Sequence, residues 1–336
     1  MLKTKNAVFT IGIALLIFLI TIPVISYTAF KSAIKEKTFN HLITTREHLV
    51  DQIESYFHER LGDVNVLATN PTTIQALSFF TQAFNNSSIK SSEYTEVAEI
   101  YQPLMNHYVS NYGYTNIFLV NINGDVIFSA KEDEYTGINL LTNENSLLKI
   151  AHIFKKGMVD TSFDDYTWHH DENDFVAYCA SPLYDNKVLL GVLLTELPFS
   201  HLDAILSRRQ GLGETGEMYL VGKDGFMRSN SRFSEKPTVL SKKVDTEATR
   251  DAFSGNTGTK IIDDYRGVPV LSAYTLLDSK SVDWALLVEI DKKEAFEAIH
   301  TVEIRLLIIA LIIGGITIAY LYLKSKNPES IKESKS

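Results

Sequence analysis

Acidic and aromatic side chains gather in one stretch of this sequence. Asp164, Asp165, Tyr166 and Trp168 lie in a single short run, Tyr178 follows, and Glu196 lies in the apolar segment GVLLTEL. Carboxylates beside aromatic faces suit an organic cation, which donates charge-assisted hydrogen bonds to the acids and lies over the rings. An amine or a quaternary ammonium compound is the ligand this chemistry favours. The alternative is a neutral or anionic metabolite held by backbone groups, with the acids facing solvent. Glu196 also admits a structural reading, because Glu289 recurs at a matching place later in the chain.

Other clusters carry less. His169-His170-Asp171-Glu172 offers side chains that suit a divalent ion. Adjacent residues on a hairpin point apart, however, and no second pair of ligands is near, so a solvated loop is expected. Asn121, Asn123 and Asp125 begin like a calcium loop but lack the closing acid, and a hairpin turn explains them. The stretch Gly211-Leu212-Gly213-Glu214-Thr215-Gly216 precedes a strand instead of following one, so it reads as a linker and not as a dinucleotide fingerprint. No P-loop, H-E-x-x-H or G-x-S-x-G is present. No catalytic residue, metal site or cofactor is expected, and the chain is read as a non-enzyme. The single cysteine, Cys179, excludes an internal disulfide.

The elements that must position these groups begin with a long helix. From residue 31 to about 70, Leu42, Leu49, Ile53, Phe57, Val64 and Leu67 recur at helical spacing, and Pro71 stops the run. Such a stripe fits pairing with a second copy of the stalk, or packing on the helix's own domain. Residues 85–93 (NNSSIKSSE) read as a polar loop, after which short strands take over. Tyr114–Val120 and Val126–Ala130 flank an Asn-Gly turn, Glu144–Lys156 reads as a helix, and Met158–Phe163, Phe175–Pro182 and Val188–Leu197 read as strands. The plan then repeats. FLVNINGDVI (118–127) aligns on YLVGKDGFMR (219–228), and Leu183, Leu193, Leu194, Glu196 and Leu197 fall on Leu276, Leu286, Leu287, Glu289 and Ile290. Two tandem α+β modules with antiparallel sheets are the simplest account.

Two charge-free runs bracket this region, one from Asn6 to Phe30 and one from Leu306 to Leu323. A membrane core of about 30 Å takes about 20 apolar residues as a helix. The first run is longer than the apolar core of a signal peptide and no A-x-A site follows, which favours an uncleaved anchor. Lys3, Lys5, Lys324, Lys326, Lys332 and Lys335 lie outside the two runs, so both ends are expected in the cytoplasm and 31–303 on the other side. Of 32 Lys and Arg seven lie outside 31–303, and of 41 Asp and Glu only two, which leaves that stretch at −14. Such a surface repels nucleic acid.

The segments GLGETGEMYLVGKDGFMRSNSRF (211–233), DYRGVPVLSAY (264–274) and VDWALLVEID (282–291) closely resemble the membrane-proximal half of double Cache (PDC-type) sensor domains. The resemblance covers about residues 30 to 303 and is weaker from 75 to 205. It implies an extracytoplasmic sensor like those of bacterial chemoreceptors, sensor kinases and nucleotide cyclases. Its fold would be α+β, with two PAS-like modules along one long N-terminal helix and a small ligand in the membrane-distal module. In amino-acid-sensing relatives, an acid at the place of Glu196 holds the ligand's ammonium, and aromatics near the place of Tyr166 enclose it. Their R-x-W-Y motif, which grips a carboxylate, has no counterpart here: residues 131–150 hold no arginine and no tryptophan.

The expected order is a cytoplasmic N-terminus (1–6), a first span (7–30), a stalk helix (31–74), a distal module (75–205) and a proximal module (206–303). A second span (304–323) and a cytoplasmic tail (324–336) complete it. Expected partners are a small ligand, a second copy and a separate signalling protein, since the short tail carries no output domain. An assembly protein without ligand sensing, or a fragment of a longer receptor, is the alternative.

Overall fold

The structure, a computed structural model, describes residues 2–131, 135–142, 148–169, 173–208, 211–277 and 282–326. Helix α1 (Leu2–Thr69) stops where the sequence predicts. Asn70 accepts a hydrogen bond from Thr72 N at 2.9 Å, and Pro71 takes the first position of α2 (Pro71–Asn86), where its missing N–H is not needed. Helix α3 (Ser92–Tyr112) follows, capped by Ser91 and closed by Gly113 in the left-handed region. Neither α2 nor α3 is anticipated by the sequence pattern, which passes from a polar loop to strands. Pro103 lies inside α3, and only Tyr101 and Met105 of that helix are buried, so its apolar period is weak.

The first sheet comprises β1 (Asn116–Asn121), β2 (Val126–Ser129), β3 (Ser162–His169), β4 (Asp174–Asp185) and β5 (Val188–Pro198), in the order β2-β1-β5-β4-β3. Helix α4 (Leu148–Gly157) precedes β3; residues 144–147 of the expected helix lie outside the described ones. Strand β3 begins later than expected, because Met158 to Asp160 continue the turn that ends α4. After α5 (Ser200–Leu206) come β6 (Glu217–Gly222), α6 (Glu247–Phe253), β7 (Gly258–Asp263), β8 (Pro269–Leu276) and β9 (Trp284–Asp291). The second sheet runs β6-β9-β8-β7, and all pairings in both sheets are antiparallel.

The repeat read from the sequence is a repeat of structure. Strands β1, β5, β4 and β3 have the same order as β6, β9, β8 and β7. Asn116 pairs with Glu196 as Glu217 pairs with Glu289, so the two alignments meet in one register.

One face of each sheet packs on α1. Leu42, Leu49, Ile53, Phe57, Val64 and Leu67 are all buried there, in one cluster with Ala177, Leu193, Leu271 and Leu286. The apolar stripe of the stalk is thus taken up by its own molecule. The opposite faces carry separate clusters, the first roofed by Ile150, Ile153 and Phe154 of α4, the second by Ala248 and Ala252 of α6.

Helix α7 (Lys292–Lys326) leaves β9 directly and packs along α1. Its Glu294 accepts hydrogen bonds from Glu214 N at 2.8 Å and Thr215 N at 2.7 Å, which pins the glycine-rich link to α7. The two charge-free runs form the outer ends of α1 and α7. Among the described residues, no helix is long and apolar enough to cross a membrane.

Candidate functional site

The register of the first sheet brings three of the six candidate residues together. Glu196 on β5 lies opposite Tyr178 on β4, and Tyr178 lies opposite Asp164 on β3. Directly paired residues share a face. With Asn116 on β1, they form a polar row across four strands, on the face that α4 covers. Tyr178 Oη donates to Glu196 Oε1 at 3.1 Å.

Asp165, Tyr166 and Trp168 lie elsewhere. Between Asp164 and Thr167 the β3–β4 register shifts, so that Thr167 pairs with Val176 and Trp168 with Phe175. A bulge of this kind reverses the parity of the residues beyond it. Tyr166 therefore turns to the α1 side, buried against Phe163, Phe199 and Trp284. Trp168 stands edge-on to Phe175 at 5.0 Å and is 41% exposed. Asp165 reaches out of the first module altogether, to Arg228 Nε at 2.9 Å.

The row gains neighbours that the sequence pattern does not single out. His169 is buried at the end of β3, with Nε2 at 2.8 Å from Tyr135 Oη and 3.7 Å from Glu196 Oε1. The expectation of a solvated loop fails for His169, because the end of β3 pairs with Asp174 and is drawn under Tyr135. His170, Asp171 and Glu172 lie outside the described residues. From α4, His152 Nδ1 approaches Asp164 Oδ2 at 2.8 Å, and Lys156 Nζ approaches Oδ1 at 3.5 Å. The i, i+4 spacing of His152 and Lys156 puts both on one side of that helix, the one sequence signal that links them.

The second module repeats the row as Glu217, Glu289, Ser272 and Lys260. There the edge-strand charge is reversed. Lys260 pairs with Glu247 and Asp251 of α6, as Asp164 pairs with His152 and Lys156 of α4. Glu289 accepts from Tyr219 Oη at 2.9 Å, as Glu196 accepts from Tyr178. Burial pushes its carboxyl up to about 8.

Chemically, the first row presents two buried acids, a phenol and an imidazole. It offers acceptors to a ligand's N–H groups, with Lys156 and His152 at its margin; their side chains are 43% and 56% exposed. The calcium-like run Asn121, Asn123 and Asp125 is a hairpin turn: Asn121 Oδ1 accepts from the amides of Asn123 and Asp125.

Comparison with solved structures finds the same fold among chemoreceptor ligand-binding domains. That of Pseudomonas fluorescens CtaA, in complex with L-leucine, has a TM-score of 0.51 at 17% identity over 79% of this chain and 99% of that one. That of the Pseudomonas aeruginosa amino-acid chemoreceptor PctC, in complex with GABA, has 0.52 at 16% identity over 76% and 100%. That of Campylobacter jejuni Tlp3, in complex with 4-methylisoleucine, has 0.54 at 13% identity over 78% and 94%. No curated protein matches the sequence. The profile of the Cache domain, in its two-module form, matches residues 26–299. With two sheets of one topology strung along a single helix, this chain belongs to the double Cache family of sensor domains.

Proposed function

We propose that the chain is a membrane-anchored sensor whose first module, within residues 75–205, binds a small organic cation on the row of Asp164, Tyr178 and Glu196. The observation that carries this reading is the pair of buried acids facing α4, Glu196 at 2% exposure and Asp164 at 6%. Tyr178 and His169 meet Glu196 here, and His152 and Lys156 meet Asp164; an ammonium exchanging for these partners would form charge-assisted hydrogen bonds to both acids. The structural neighbours are complexes with amino acids or GABA, all of which carry an amino group. Tyr166 and Trp168, on the far side of the sheet, would support the site from behind and not enclose the ligand.

The outer ends of α1 and α7 favour an anchor at each end of the module pair, the second module being 206–303. In the charge-free run of α7, Ile308, Leu311, Ile312, Ile316 and Ile318 are all exposed. A wide apolar helix face belongs against protein or in lipid. Ligand binding would then shift α7 against α1, biasing a two-state arrangement that a separate cytoplasmic partner reads. Pairing of two copies would use the side of α1 opposite its buried stripe.

Calorimetric titration of the full chain with butylamine, GABA and butyrate tests the ligand class. The amines should bind and butyrate should not. Charge-assisted bonds contribute roughly 1.5–3 kcal/mol, so Glu196→Gln should weaken amine binding by about ten- to a hundredfold. Binding of butyrate alone would remove the cation reading.

A further inference from the structure

We infer that Arg228, a residue of the second module, is a positioning residue for the ligand face of the first; the inference rests on reading the Asp164–Tyr178–Glu196 row as that face. Arg228 is buried, with 6% of its side chain exposed. Its guanidinium lies over Gly222, where a Cβ would stand 2.4 Å from Cζ, and Gly222 pairs with Trp284. Asp224 takes Nη1 at 3.0 Å and Nη2 at 2.8 Å, and Phe226 O takes Nη1 at 2.8 Å. The group is thus held on three sides, with Nε directed at Asp165 Oδ2, 2.9 Å away in the other module.

Asp165 lies in the β3 bulge. There the pairing with β4 lapses between Asp164 and Thr167. A bulge is the part of a strand that its own sheet holds least, so its place is set by what grips its side chains. Three consecutive residues are gripped from three directions. Asp164 stands in the ligand row beside His152 and Lys156. Asp165 is tied to Arg228. Tyr166 stacks on Trp284 of β9, with ring centroids 6.2 Å apart. Moving any one of them moves the others through two peptide units. A ligand that draws Asp164 from α4 therefore displaces the bulge against the second module. By reciprocity, Arg228 biases where Asp164 stands before the ligand arrives.

The chain has two tryptophans, Trp168 and Trp284. Replacing the exposed Trp168 with Phe leaves Trp284 as the sole reporter, at the module junction. In that full chain, Asp164→Asn should change Trp284 emission, although the two residues do not touch. Adding Asp165→Asn, or separately Arg228→Lys, should reduce that response severalfold, with thermal melts confirming that each variant is folded. Asp165 is partly exposed, so its variant remains interpretable if Arg228→Lys does not fold. An Asp164→Asn response that is absent, or as large with Asp165→Asn present, overturns the inference. Butylamine titration separates this from the ligand reading. If butylamine does not bind while the Trp284 response still depends on Asp165, the joint stands and the cation site falls. If butylamine binds and the response does not depend on Asp165, the site stands and the joint falls.

Discussion

Glu196 and Glu289 hold the same place in the two sheets, each accepting from a tyrosine hydroxyl, yet their surroundings differ. Glu196 has His169 at 3.7 Å, whereas Glu289 has the acids Glu217 and Asp264 nearby. Burial dominates the rise of the Glu289 pKa to about 8. Ser272 and Tyr219 oppose that rise in part, and Asp264 and Glu217 add to it. In the unfolded chain a glutamate titrates near about 4.3. The folded state thus holds this proton the more tightly, so the stability it contributes is full below about 4.3 and is lost as pH rises through about 8. At about 1.4 kcal/mol per unit, the window is worth on the order of 5 kcal/mol. Glu289→Gln should flatten the fall in melting temperature between pH 5 and 9 relative to the unsubstituted chain. Parallel profiles for the two proteins would mean that Glu289 is already ionised when folded.

Among the elements, β9 ties the molecule together through Trp284. This residue is 2% exposed and meets Phe57 of α1 at 5.5 Å, Phe163 at 6.5 Å and Tyr166 at 6.2 Å. Truncating a buried tryptophan costs about 3–5 kcal/mol, and here the loss falls on both modules and the helix at once. Trp284→Ala should lower the melting temperature sharply, with first and second modules unfolding together. Gly222→Ala, which pushes a methyl into Arg228, should cost about 1–3 kcal/mol by overpacking. A melt unchanged by either substitution would contradict the packing of this junction. The sequence made some of these elements plain and hid others, for reasons that can be named. Pro71, the Asn123-Gly124 turn and the apolar runs of β4 and β5 are local signals, and the repeat in 118–127 and 219–228 carried the register from one sheet to the other. Helix α3 was hidden by Pro103 and by its mostly solvated surface. The division of the site was hidden for a different reason: alternation assigns Asp164, Tyr166 and Trp168 to one face, and only the pairing with β4 reveals the bulge that separates them. His169 and Tyr135 meet across the fold and share no sequence pattern.

At the scale of the whole molecule, the proposed anchoring depends on how the two charge-free ends leave the modules. Helices α1 and α7 pack side by side, so their charge-free ends leave the modules together. If both ends enter lipid, they emerge on one face, and the lysines decide which. Lys3 and Lys5 precede the first run and Lys324 and Lys326 follow the second, while the −14 of residues 31–303 belongs to a stretch too long to influence orientation. Both termini should then lie in the cytoplasm. A phosphatase that is active only outside the cytoplasm, fused after Ser336, should be silent; the same enzyme inserted in the turn at Asn186-Lys187, between β4 and β5, should be active. Moving Lys324 and Lys326 to glutamine should weaken this bias without abolishing it, because Lys3 and Lys5 still hold the first run. Activity at Ser336 together with silence at residue 186 would reverse the orientation. Activity at both positions would mean that the second run does not span, and the signal would then have to leave through α1 alone.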